Sequence, residues 1–411
     1  MALLLCATLA FLPALVAQKN KDAPPDPRLP SIDAFNDSYG HWHNFDAPGR
    51  IIKPEPGQRR DRHTPAQFRE IAENIILFQN ENGGWPKDYD MCAKLTDKQK
   101  KAVATAKRSS ITSFDNHNIH SQVAFLAKTY SLTNDPRHAD ACLRGLKFIL
   151  DSQLPSGGFP QRWPHRQKSR DDYHYHITFN DGVTMGCLNL LHDAALGQNG
   201  FKWLDDPTRK IATQAVNRGI ACLLRTQYIN KNGVLTAWGQ QHYNDTLKPA
   251  PARGFELACL TPQDSAEIVE FLMLVDAPPE SIMRSIVAAT EWIKKVRLTG
   301  IRVEKFTSTR RADMENDKRD PTTDRRVVAD PDAKPIWARE YDMDKDIPVF
   351  SNDDAVPKYD FNALDRKSRN RTPWFGNYGD KLLKELYPAW LKKNPAAEKF
   401  TTDTKTACDS K

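Results

Sequence analysis

QNENGGWPK (79–87), QLPSGGFPQ (153–161) and QYINKNGVLTAW (227–238) spell one phrase three times: a glutamine, a few polar residues, a glycine, then an aromatic or apolar side chain. Gln79, Gln153 and Gln227 lie 74 residues apart in both intervals. So regular a register marks a structural repeat. The residues before each glutamine supply a helix. QFREIAENIILF (67–78) places Phe68, Ile71, Ala72 and Ile75 on one helical face, and ADACLRGLKFIL (139–150) does the same with Ala139, Cys142, Leu143, Leu146, Ile149 and Leu150. RGIACLLRTQ (218–227) echoes RGLKFILDSQ (144–153).

Beyond each glycine loop a second helix is expected: HSQVAFLAKTY (120–130), DGVTMGCLNLLHDAAL (181–196) and DSAEIVEFLMLV (264–275). Asp135-Pro136 and Asp206-Pro207 read as start signals for the helices that follow, since Pro fits the first turn. Helical pairs at this period cannot bury their apolar faces alone, so they stack or close into a ring. The expectation is an all-α fold, an (α/α)3 toroid of helical hairpins with long connecting loops. Strand-like stretches such as RVVAD (326–330) are too few for a major sheet.

The 411 residues, 39% of them hydrophobic, can bury a large core. Residues 1–17 (MALLLCATLAFLPALVA) carry no charge and precede polar sequence, the profile of a signal peptide; the run is shorter than the ~20 residues that span a bilayer. The expected organisation is a signal peptide (1–17), an N-terminal extension (18–62), a catalytic domain (63–400) and a tail (401–411). Much of 18–62 and 303–335 reads as loop. The mature body is expected to be secreted or periplasmic, off the membrane, and a monomer. A formal charge of +7 with 52 acidic residues suits an anionic partner but is a solvated surface rather than a nucleic-acid footprint. Without a C-x-x-C pair, the cysteines in apolar helical patterns read as buried thiols.

Every repeat aims its glycine loop and the start of its second helix at one end of the bundle. The polar set there is Asp115-Asn116, Asn180-Asp181, Gln240-Gln241-His242, Arg253 and later Arg339, with the aromatics Trp85, Phe159, Trp163 and Trp238. Asp and Asn at helix starts serve ordinarily as caps. The aromatics serve either as sugar platforms or as core plugs beneath their loops.

NGGWPK, SFDN (113–116), GGFPQRWP (157–164), ITFNDG (177–182), TAWGQQH (236–242), PARGFEL (251–257) and WAREYD (337–342), in this order, resemble the family 10 polysaccharide lyases, toroidal pectate lyases. The resemblance implies cleavage of polygalacturonate by calcium-assisted β-elimination. Asp115 and Asp181 match the family's acidic positions and become the calcium ligands, and Arg253 matches the arginine that serves as base. Arg339 matches a substrate-binding arginine, whose fork suits a uronate carboxylate. Arg325 lies near a further basic position. Asn116, Asn180, Trp238 and His242 complete the expected substrate-binding set.

The chemistry is coherent. The C5 proton lies alpha to a carboxylate, which must be neutralised before a base can act, and calcium takes several oxygen ligands at once. An arginine base requires alkaline conditions, because its reference pKa exceeds ~12. The competing role for Arg253 is an ion pair with Glu256.

Several positions depart from the family pattern. HNIH (117–120) stands where small residues and threonine are usual, Gly182 where asparagine is common, and Tyr243 where aspartate is common. His117 and His120 are expected to reshape a sugar subsite; His174 and His176 read as loop or surface residues. Two alternatives remain open here: a hydrolase using Asp115 and Asp181 as its carboxyl pair, or a catalytically silent sugar-binding protein.

Overall fold

The computed structural model describes residues 27–46, 49–106, 112–164, 169–308 and 322–401; the expected signal peptide and nearly all of the expected tail lie outside them. Its helices are α1 (Asn36–Asn44), α2 (Phe68–Phe78), α3 (Asp97–Ala106), α4 (His120–Thr133), α5 (Pro136–Ser152), α6 (Val183–Leu196), α7 (Asp206–Thr226), α8 (Pro262–Leu272), α9 (Glu280–Lys295), α10 (Arg366–Arg371) and α11 (Tyr387–Lys393). Buried residues recur every three or four positions along α2, α5, α7 and α9, so each turns one stripe inward.

Pro136 opens α5, and the Asp135 carboxylate accepts the Arg137 amide at 2.9 Å. At α7 the cap is Asp205, whose carboxylate accepts the Thr208 amide at 2.9 Å. The expected start signal Asp206-Pro207 therefore lies one residue inside the helix.

The helices form two layers. α4, α6 and α8 touch in succession, and each packs against the helix that follows it, α5, α7 and α9. The repeated glutamines join the second layer. Gln79 Nε2 donates to Gly83 O at 3.0 Å in its own loop and to Ala141 O at 2.9 Å on α5. Gln153 repeats this with Gly157 O and Ala215 O on α7, both at 2.9 Å. Gln227 does so with Thr236 O and Ser285 O on α9, at 2.8 and 3.0 Å. One amide thus ties each loop to the next outer helix, and each such bond contributes about 1 kcal/mol net.

The glycines of the phrase permit that approach. Gly83 (φ +90°) and Gly157 (φ +97°) lie so close to the next helix that an added Cβ would meet Arg144 O at 2.4 Å and Arg218 O at 2.1 Å. Only glycine combines this backbone conformation with this proximity.

The all-α toroid is as expected, with one addition, a fourth unit. Trp85 and Trp238 are fully buried and donate their indole N–H to the carbonyls of Ile75 and Leu223, near the ends of α2 and α7. Trp337 does the same to Ile293 O on α9. The segment expected to be loop contains the hairpin Ile301–Thr307 with Thr323–Ala329, inserted before Trp337, and α1 lies in the N-terminal extension. Among the described residues the strands form four two-stranded ladders, with isolated antiparallel bridges between loops beside them. Cys92, Cys142, Cys187, Cys222 and Cys259 are buried free thiols. No described helix is long and apolar enough to cross a membrane.

Candidate active site

Short ladders stitch the loops together at one end. Thr112-Ser113, just before Asp115, pairs with Arg162-Trp163 in the second loop. Ile177-Thr178, just before Asp181, pairs with Gln241-His242 in the third. Asp115 and Asp181 therefore sit on neighbouring loops ahead of α4 and α6, one position out of step: counted from the strands, Asn180 corresponds to Asp115 and Asn116 to Asp181. Backbone strain collects here: Asn116, His117, Ile119 and Asp181 all have positive φ, between 55° and 76°. Asn and Asp tolerate this conformation, whereas a β-branched Ile rarely does.

The two carboxyl groups share a hydrogen bond. Burial pushes Asp115 up, but Lys87, 2.6 Å from its Oδ2, together with the hydrogen bonds from Asp181 and from Gln161 Nε2, the latter at 3.1 Å to the other oxygen, leaves it below the ordinary value. Burial and the charge of Asp115 push Asp181 up to about 7, against partial relief from Arg339. Lys87 is held above the ordinary lysine value despite burial, by Asp115 and Asp88.

The asparagines position these carboxylates. Asn116 Nδ2 donates to Asp88 Oδ1 at 2.8 Å, and Asn180 Nδ2 to Asp181 Oδ2 at 2.7 Å. Asn180 Oδ1 is buried without a protein partner. Two crowded carboxyl groups beside an orphaned amide oxygen are a hard oxygen donor set of the kind that suits calcium. A separate group, Glu73, Asp135 and His138, has ligand atoms within 4.8 Å of one another. Arg137 already bridges its two carboxylates, at 2.8 and 2.7 Å.

The arginines converge on one buried carboxylate. Arg253, about half exposed, makes a forked pair with Glu256, with Nε 2.8 Å from Oε2. Arg339 Nη2 lies 3.9 Å from the same carboxylate and donates to Gln240 Oε1 at 3.2 Å. Hydrogen bonds donated to Glu256 hold the Arg253 guanidinium above its ordinary value. For Arg339 burial is outweighed by the surrounding carboxylates, with the same net direction. Arg325 and Arg339 both reach Thr372, each at 3.5 Å.

Two expected contacts fail. Trp238 is fully buried, its N–H spent on Leu223, so no face remains for a sugar. His242 is also fully buried: Nε2 accepts the Gly239 amide at 3.0 Å and Nδ1 lies 2.8 Å from Leu247 O. Both are loop anchors. His176, expected at the surface, is buried with Nε2 3.1 Å from Arg170 O.

The histidine departures have a packing cause. An added Cβ at Gly182 would sit 2.2 Å from His117 Nδ1, and one at Gly186 2.2 Å from His120 Nε2. Small residues on α6 make room for large ones at the start of α4. Both imidazoles line a cleft of ≈ 550 Å³ between α4, α6 and α8, together with Met185, Asn189, Glu267 and Phe271.

The sequence reading passed over Lys87, Asp88 and Gln161, and placed Gln240 at this end of the bundle without a role. Lys87 and Gln161 stood inside the quoted motifs, at the last position of each phrase, but nothing local distinguishes a lysine that faces a carboxylate from one that faces solvent.

A ring of helical hairpins whose loop end sets an acidic pair against clustered arginines defines a class of anionic-polysaccharide enzyme. The chain belongs to the pectic acid lyase family, whose profile matches residues 79–383, and it is accordingly a polysaccharide lyase. It is similar to a solved family 10 polysaccharide lyase from Cellvibrio cellulosa, with 25% identity and a TM-score of 0.63 over 80% of this chain and 95% of that one. An aspartate-to-alanine mutant of a Cellvibrio cellulosa family 10 lyase, solved in complex with trigalacturonic acid, matches at 24% identity and a TM-score of 0.63, covering 80% and 96% of the two chains. No match is found among curated proteins.

Proposed function

We propose that the protein is a secreted pectate lyase that cleaves (1→4)-α-D-galacturonan by calcium-assisted β-elimination, leaving 4,5-unsaturated oligogalacturonides. The observation that carries this reading is the Arg253–Glu256–Arg339 cluster beside the Asp115–Asp181 pair in a pectic acid lyase chain. Asp115 and Asp181 would hold the calcium, which when bound neutralises the uronate carboxylate and acidifies C5–H. Arg339, and Arg325 beside it, would orient uronate carboxylates. The trigalacturonic acid bound by the similar lyase supports this choice of substrate.

Arg253 would remove the C5 proton. With Glu256 holding the guanidinium protonated, the neutral form is scarce, and activity is expected to rise into alkaline pH. A hydrolytic reading fits less well. Asp115 and Asp181 touch, whereas even retaining glycosidases hold their carboxyl groups about 5 Å apart.

The test incubates purified protein with polygalacturonate, with calcium or a chelator, following ultraviolet absorbance and new reducing ends. Unsaturated product that disappears with chelator is expected; reducing ends without unsaturation, or binding without either, would overturn the lyase reading. Arg253→Ala should abolish turnover while leaving the thermal midpoint within a few degrees. Near-normal activity would remove Arg253 as the base. Secretion is checked by sequencing the N-terminus of the exported protein, which should begin after Ala17.

A further inference from the structure

The family match begins at residue 79, yet α1, N-terminal to it, reaches the candidate site. The helix is firmly seated. Phe35 and Trp42 are buried, and Phe35 packs against Phe125 of α4 with ring centroids 5.6 Å apart. Arg50 closes the C-terminal end of α1 by donating to the carbonyls of Trp42 and His41, at 2.9 and 2.8 Å. The Tyr89 hydroxyl accepts the Ile51 amide at 2.7 Å, tying the same segment to the first loop.

On the side nearest that loop, His41 Nδ1 lies 3.7 Å from Asp88 Oδ1. Asp88 is the carboxylate that accepts Asn116 and lies 3.7 Å from Lys87, which in turn pairs with Asp115. His41 therefore extends the polar row of the candidate site by one step beyond the residues that the family profile matches. One turn further along α1, Phe45 is 57% exposed, and its ring centroid is 5.1 Å from that of His41 at an interplanar angle of 40°. Phe45 and Tyr359 are the exposed large aromatics among the described residues, and Tyr359 carries the Lys345 ammonium 4.2 Å from its ring centroid. Of the loop aromatics, Trp85, Phe159, Trp238 and Trp337 are fully buried, and Trp163 is partly buried within its strand pair.

We propose that His41 and Phe45 form an additional sugar subsite, which takes one uronate residue of a galacturonan chain long enough to run past Asp115 and Lys87 onto α1. The Phe45 ring supplies the apolar face on which a pyranose stacks. The His41 imidazole, set between Asp88 and Asp37 at 3.7 and 3.6 Å, supplies a hydrogen-bonding edge, and Lys87, beyond Asp88, a cation for the carboxylate. The contact lies outside the reacting centre, so it adds binding that is equal in the ground and transition states. It should lower KM for long chains without changing kcat.

This inference rests on the lyase reading and is tested by substrate length. His41→Ala and Phe45→Ala are assayed on polygalacturonate and on the shortest oligogalacturonate the wild type cleaves. KM for the polymer should rise about threefold to tenfold, with kcat within about twofold and the short substrate unaffected. Affinity electrophoresis in polygalacturonate gels reads the same loss as reduced retardation, with or without turnover. Phe45 is exposed, so its variant should keep the wild-type melting temperature. An active wild type whose variants show unchanged KM and retardation overturns the subsite and leaves the lyase reading standing. Equal loss on short and long substrates overturns it too, by placing the effect at the reacting centre. A wild type that makes no unsaturated product fails the lyase reading itself, and gel retardation then decides the subsite separately.

Discussion

Glu256 is where the proposed chemistry is most exposed to test. It is buried, accepts hydrogen bonds from Arg253 and lies 3.9 Å from Arg339, so it fixes the position of the proposed base while holding that base protonated. Glu256→Gln keeps an acceptor for Arg253 but removes the charge. An opposite charge at this range moves a pKa by about 1–3 units, so its loss should lower the Arg253 value and shift the alkaline rise of kcat toward lower pH by about one unit or more. A pH–rate profile that superimposes on the wild type would mean that Arg253 does not titrate in the reaction. The Arg253–Glu256 pair was visible in the sequence as a spacing of three. That Arg339 shares the carboxylate was not, because their contact spans 83 positions, from 256 to 339. Trp238 and His242 were misread for a related reason. An aromatic residue in a glycine loop is spelled identically whether it faces a sugar or plugs the core, and the carbonyls that hold these two inward come from folded neighbours.

At the scale of elements the repeat was legible because it is written in short-range pattern: a 3.6-residue period, a glutamine, a glycine. The glutamines do more than end helices, since each amide bonds a carbonyl of the next outer helix about 60 positions on. Gln153→Ala should therefore destabilise the fold by about 1–3 kcal/mol, through a lost bridge and carbonyls left poorly satisfied. Gln227→Ala should do likewise, and the double variant should be close to the sum, since the two bridges share no partner. Urea titrations measure this; a change below about 0.5 kcal/mol at both positions would make the repeated glutamine a helix-end habit rather than a tie. The fourth unit escaped the sequence reading because a hairpin separates α9 from Trp337, which breaks the 74-residue period while leaving the indole-to-carbonyl contact intact. α1 escaped because its internal residues DSYGHWH (37–43) carry no apolar stripe; Phe35, just outside the helix, and Trp42 are its buried large apolar side chains.

Across the whole molecule, buried titratable groups oppose one another over pH. Burial lowers His242 to about 4, so below its ordinary value near 6.5 the unfolded chain binds the proton that the fold refuses, and stability falls as pH drops from about 6.5 toward 4. The carboxylates have the other sign. Burial raises Glu340 and Glu267 to about 8, and burial with the charge of Asp115 raises Asp181 to about 7, so the folded state binds more protons than the unfolded chain from about pH 4 upward. Their contribution is lost as pH rises and is gone above about pH 8. Between about pH 4.5 and 6.5 the two groups partly cancel; above 6.5 the carboxylates act, joined from about pH 8 by the five buried thiols, which burial holds protonated in the folded state. The calcium-free protein should therefore melt at a lower temperature at pH 9 than at pH 6.5, with a stability difference on the order of 2–4 kcal/mol. That decline runs into the pH range where an arginine base would work. Calcium held at Asp115 and Asp181, as proposed, would displace the shared proton, so its affinity, and the rise in melting temperature it produces, should both be larger at pH 9 than at pH 6. Asp181→Asn should raise the calcium-free melting temperature at pH 9, by removing a buried charge beside Asp115, and should abolish the calcium-dependent increment. Calorimetric scans at the two pH values, with calcium or chelator, decide the matter. A calcium increment independent of pH, or one that survives in Asp181→Asn, would place the ion elsewhere in the molecule.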